Sequence, residues 1–127
     1  MADTYSLQVI FSVNNIEEIS SVFSASADGT KQWSAGVPTD TTNLLVSLGF
    51  TLARLKGFLL TSTKAITVKT NSSSAPDETF SVPADGCVAF VDGMYTLFAG
   101  DVTAFYITNA SGETAVVEIK ILEDLTP

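Results

Sequence analysis

The chain reads as an all-β fold, an antiparallel sandwich or barrel of short strands, and three observations predict it. Apolar and polar residues alternate with period two, as where Tyr5, Leu7, Val9, Phe11 and Val13 interleave with Ser6, Gln8, Ile10 and Ser12. Turn-formers such as Asp28-Gly29, Gly36-Val37-Pro38, Asp85-Gly86, Asp92-Gly93 and Gly100-Asp101 recur at strand-length spacing. Scarcely any stretch carries the apolar spacing of an amphipathic helix. At 127 residues the chain is expected to form one domain spanning 1–127, and a chain of this size buries roughly two-thirds of its unfolded surface, enough for one core.

The first strand covers Tyr5 to Val13. Residues 14–42 are the least patterned part: Ile16 to Ile19 could form a helical turn, but Ser and β-branched residues followed by Asp28-Gly29 and Gly36-Val37-Pro38 favour an irregular or extended loop segment with short strands. Leu44, Val46, Leu48 and Phe50 then share one face, and Ala53, Leu55, Gly57, Leu59 and Thr61 share one face of the next strand. Ile66 to Thr70 and Thr79 to Val82 form a strand pair, Ile66 and Val68 against Phe80 and Val82, joined by the Ser-rich connection Asn71 to Asp77. Cys87 to Val91 is a short apolar strand, and Met94 to Phe98 another extended piece. Val102 to Thr108, apolar on both faces, reads as a central strand, and Asn109 to Gly112 as a hairpin connection to Thr114 to Leu122, whose Val117, Ile119 and Ile121 point inwards while Glu118 and Lys120 face water. Eight or so such strands make a jelly roll and an immunoglobulin-like sandwich the two architectures to consider.

Composition narrows function. Six basic against fourteen acidic residues give a net charge of −8, which repels nucleic-acid phosphates and anionic headgroups and leaves protein or sugar as the expected partner. No apolar run reaches the roughly 18 residues of a membrane span, and an acidic residue stands where a signal peptide carries basic ones, so the expectation is a chain made and kept in the cytosol or released with a particle. The positive mean hydropathy leans towards an oligomer or a docked protein. Cys87, the single cysteine, reads as a small core hydrophobe.

The chain contains no histidine, so Ser-His-Asp and Cys-His catalysis and imidazole-based zinc sites are excluded. Asp85, Asp92 and Asp101 could converge as a glycosidase pair or hold Ca²⁺, but Asp-Gly and Gly-Asp pairs form turns for backbone reasons and no EF-hand spacing is present. No glycine-rich phosphate cradle occurs. The expectation is a protein that is not an enzyme, with no catalytic residues, no cofactor and no metal.

One cluster exceeds this background: Arg54, Lys56, Lys64 and Lys69, four of the six basic residues, lie within sixteen positions. If Leu55 and Leu59 point to the core, Arg54, Lys56, Phe58 and Leu60 share the opposite face and make a docking surface of mixed charge and apolar groups. The competing arrangement covers Phe58 and Leu60 with the second sheet or the N-terminal segment and leaves the lysines solvating an edge. Trp33 is a further candidate, as an interface anchor, a sugar platform or a core residue.

The stretches ITVKTNSSSAPDETFSV and DVTAFYITNASGETAVVEIKIL, with the short acidic tail, resemble small structural proteins of tailed bacteriophages that act as head decoration or cement proteins, over roughly residues 53 to 123. The resemblance implies a jelly-roll-like sandwich and a virion protein that binds the major capsid protein on the outer surface of the head. It further implies a homo-oligomer, a dimer or trimer, touching the shell through the Arg54 to Lys69 region and the N-terminal segment. A place in the tail or the head-tail connector is the alternative within that class. A carbohydrate-binding or host-adhesion module, with Trp33, Tyr95 or Tyr106 stacking on a sugar, is the alternative outside it.

Overall fold

The computed structural model describes residues 3–13, 17–92, 94 and 96–125, with side chains for 4–8, 21–24, 27–92, 94 and 96–125. Its described residues form β1 (Asp3–Val13), β2 (Glu17–Ala27), β3 (Gly29–Val37), β4 (Thr41–Val46), β5 (Leu55–Ser62), β6 (Ile66–Thr70), β7 (Thr79–Val82), β8 (Gly86–Val91), β9 (Phe105–Asn109) and β10 (Ala115–Glu123), with one 3₁₀ turn at Leu52–Arg54. All strand pairs are antiparallel. One four-stranded sheet has the order β3-β10-β5-β8 and the other β4-β9-β6-β7, while β1 and β2 pair only with each other. From β3 to β10 the chain shuttles between the two sheets, which is the winding of a jelly roll rather than of an immunoglobulin-like sandwich.

The core is where the sheets' inner faces meet. Val117, Ile119 and Ile121 of β10 face inwards and are buried, as their alternation predicts. They stand beside Ser62, Leu60 and Phe58 of β5, and across the sandwich lie Val68, Ile107 and Phe105. Phenylalanines fill the middle: Phe58 stacks with Phe90 and Phe105 at centroid distances of 5.7 and 5.8 Å. Phe98 meets Phe50 and Phe58 edge-on, both at 5.0 Å. Burying one such ring contributes about 1.5–3 kcal/mol, with aromatic geometry adding a fraction more.

Phe98 corrects one expectation. In the expected extended piece Met94 to Phe98, the described residues Met94 and Thr96 to Phe98 form no strand; Phe98, 2% exposed, ties them to the core. Residues 14–42 are corrected too, because they contain β2, β3 and the start of β4 rather than an irregular loop. Ser-rich sequence is strand here because β1 pairs with β2 in unbroken register from Asp3↔Ala27 to Val13↔Glu17, and cross-strand pairing overrides weak intrinsic preference. Ile19, in the expected helical turn, stands opposite Phe11 in that ladder, and Ile16 lies outside the described residues. Asp28 breaks the chain between β2 and β3, as Asp28-Gly29 predicts.

The Ile66↔Val82 and Val68↔Phe80 pairs form as expected, and β9 is indeed central, between β4 and β6. The Asn109–Gly112 link is not a hairpin. With both edges of β9 occupied, the chain must cross to the other sheet, where β10 inserts between β3 and β5. Cys87 is exposed rather than buried: it lies opposite Thr61 on β5, out of phase with the inward-facing Phe58 and Leu60.

Candidate functional site

The predicted docking face of β5 is inverted. Phe58 is 2% and Leu60 0% exposed, so both leave the candidate interface for the core, and Leu59, at 40%, faces outwards in their place. The physical reason is register. Ile121 and Ile119 of β10 lie directly opposite Phe58 and Leu60, and an inward set on one strand forces its direct neighbours inwards as well.

The four clustered cations are dispersed by the fold. Arg54 and Lys56 stand at one end of β5 and Lys64 beyond the other; an eight-residue strand separates them by about 25 Å. Lys69 lies in the other sheet, on β6. Three have found local partners: Lys56 pairs with Asp92 at 3.7 Å, Lys64 with Glu113 at 2.8 Å, and Lys69 Nζ donates to the Ser73 carbonyl at 3.1 Å. A continuous basic surface is therefore not built from them. The hydrogen bond and charge of Glu113 hold the Lys64 ammonium above its ordinary range, and Lys64 likewise holds the Glu113 carboxyl below the usual carboxylate range. Trp33, opposite the inward Ile119, is half-buried and packs against the core. Tyr95 lies outside the described residues.

The three turn aspartates do not gather in one place. Asp85 precedes β8 and Asp92 follows it, so a six-residue strand holds them about 20 Å apart. Asp92 bonds Lys56, and Asp101 Oδ1 accepts the Leu52 amide at 2.7 Å, steadying the 3₁₀ turn. Among the described residues no three His, Cys, Asp or Glu side chains gather where they could share a metal ion, and no helix is long and apolar enough to cross a membrane.

The structure instead presents surfaces. Val22, Leu45, Leu59, Val116 and Leu125 are large apolar side chains left exposed. Leu59 and Val116 share the outer face of the β3-β10-β5-β8 sheet with Lys120. The β1–β2 hairpin lies on this face: Tyr5 Oη is 3.2 Å from Thr30 Oγ1, and Lys120 Nζ stands 5.8 Å from the Tyr5 ring centroid. Beneath it Leu122, although on the outward phase of β10, is only 7% exposed. Gly57 makes room for that contact, since a Cβ there would meet Leu122 Cδ1 at 2.8 Å. A slot of about 160 Å³ remains between hairpin and sheet, lined by Leu7, Leu59, Ala89 and Leu122 among others. Leu59 was missed because LKGFLLTS is apolar on both faces; the phase was recoverable only by setting it against Val117, Ile119 and Ile121.

No family model and no curated protein matches the chain. Two solved structures are similar. One is the cupin domain of Schizosaccharomyces pombe Cnp3, at 13% identity and TM-score 0.42, covering 96% of this chain and 85% of that one. The other comes from the Bacillus endospore appendages described as a novel family of disulfide-linked pili, at 11% identity and TM-score 0.36, covering 98% and 91%.

Proposed function

We propose that this protein is a virion structural protein that decorates the outer surface of a bacteriophage head, binding the major capsid protein as a dimer or trimer and stabilising the shell. The observation that carries the reading is the outer face of the β3-β10-β5-β8 sheet, where Leu59 and Val116 lie exposed beside a hairpin that belongs to neither large sheet. Apolar groups presented on a rigid sheet are suited to burial against another protein. The sequence resemblance to head decoration proteins supplies the class of partner. A contact of about 800 Å² per partner is of ordinary size for specific association, and repeating it around a shell multiplies its effect.

The test uses shells assembled without the protein. Adding the purified chain is expected to give saturable binding and to raise the temperature at which the shells break open. Val116→Glu, a surface change, is expected to weaken binding while leaving the fold intact. Shells that neither retain the protein nor gain heat resistance would refute the proposal.

A further inference from the structure

The opposite face of the sandwich carries a different chemistry. On the outer side of the β4-β9-β6-β7 sheet the register lines up two rows of side chains. Leu45, Tyr106, Lys69 and Thr79 form one, and Thr108, Thr67 and Ser81 the other. Their neighbours Ile107 and Val68 are fully buried on the inner face, so the pleat places both rows outwards. A groove of about 360 Å³ opens over the second row, where the hydroxyls of Thr67, Ser81 and Thr108 meet apolar walls that include Ala65, Pro83 and Ala110. The volume is within the range of small-molecule sites. Thr108 Oγ1 accepts the Asn43 amide at 3.0 Å and donates to Asn43 Oδ1 at 3.5 Å, so this hydroxyl is held by β4. The hydroxyls of Thr67, Ser81 and Tyr106 make no hydrogen bond within the protein among the described residues.

From this geometry we infer a binding site for a neutral oligosaccharide, with one ring in the groove and the next over Tyr106. Three features select that ligand. The groove combines apolar walls with hydroxyls that both donate and accept, matching the C–H faces and hydroxyl edges of a pyranose. Tyr106 stands in the neighbouring row, two residues before Thr108 on β9 and about 7 Å along the strand, so a disaccharide is long enough to reach from the groove to it. Neither row contains a carboxylate although the chain has fourteen acidic residues, and the single cation, Lys69, is engaged by Ser73. The face is thus close to neutral. A nucleic acid or an anionic polymer would find one engaged lysine on a chain of net charge −8. The site does not depend on the capsid reading, because it lies on the other sheet from Leu59 and Val116.

The test is a printed array of defined neutral and anionic oligosaccharides probed with the whole chain, followed by titration of the best neutral glycan by heteronuclear NMR. The expected result is retention of a neutral glycan of two or more units, with shifts confined to β6, β7 and β9. Tyr106→Ala and Thr67→Val should each weaken binding about tenfold or more, the loss of one stacked ring or one hydrogen bond. Val116→Glu should leave it unchanged. Retention of no neutral glycan, retention of anionic glycans alone, or affinity untouched in a Tyr106→Ala/Thr67→Val double variant would overturn the assignment.

Discussion

Asn109 is the side chain whose removal should cost this fold most for its size. It ends β9, is fully buried, and ties two crossings between the sheets together. Its Nδ2 donates to the Val37 carbonyl at 2.9 Å and the Glu113 carbonyl at 2.8 Å, with a longer approach to the Pro38 carbonyl at 3.3 Å. Its Oδ1 accepts from the Ser111 amide at 3.0 Å and the Ser111 hydroxyl at 2.7 Å. Truncation to alanine leaves the Val37 carbonyl unsatisfied in a buried site, a loss of about 1–3 kcal/mol. The Glu113 carbonyl and the Ser111 groups lie nearer water and add a smaller amount. The expected loss for Asn109→Ala is about 2–4 kcal/mol, and for a domain of this length each kcal/mol lowers the melting temperature by about 4 °C. Asn109→Asp is the sharper probe, because a carboxylate would face two carbonyls that need a donor. Burial without a cation raises its folded pKa, so the variant should be weakest at neutral pH and recover as pH falls towards that value. Urea denaturation followed by Trp33 fluorescence measures both variants. An Asn109→Ala unfolding free energy within about 0.5 kcal/mol of the parent protein's would refute the reasoning.

Other perturbations test the packing and the surface. Gly49→Ala would place a Cβ 2.2 Å from the Val102 carbonyl oxygen, against the Phe50–Val102 bridge; the expected loss in chemical denaturation is about 1–3 kcal/mol. Phe98→Ala empties the centre of the ring cluster and should cost about 3–5 kcal/mol, whereas Phe98→Leu should cost distinctly less, a difference read from the two urea midpoints. The Lys64–Glu113 pair should stabilise only while both groups are charged. Its contribution falls away in acid as Glu113 protonates below its ordinary 4.5, and in alkali as Lys64 deprotonates above its ordinary 10.5. The difference in stability between the parent and Glu113→Gln is therefore expected at neutral pH, and should vanish at both extremes and in molar salt.

Alternation and turn chemistry were sufficient for the all-β class, for β1, β6, β7, β9 and β10, and for the inward set of Val117, Ile119 and Ile121, because period two and Asp-Gly turns act within a few residues of chain. The absence of histidine likewise settled from composition which catalytic arrangements were impossible. What needed the assembled tertiary structure was every property set by a partner distant in sequence. The link after β9 crossed sheets only because both neighbouring positions were filled. The phase of LKGFLLTS followed from β10, some sixty residues later. The same pairing moved Phe58 and Leu60 into the core, brought Leu59 and Cys87 to the surface, and carried Lys64 and Lys69 away from Arg54. It also aligned Tyr106, Thr108, Thr67 and Ser81, which lie on three separate strands, into one face. Local sequence chooses extended chain at low cost in interactions, whereas the identity of each buried face is decided by which strands lie beside it.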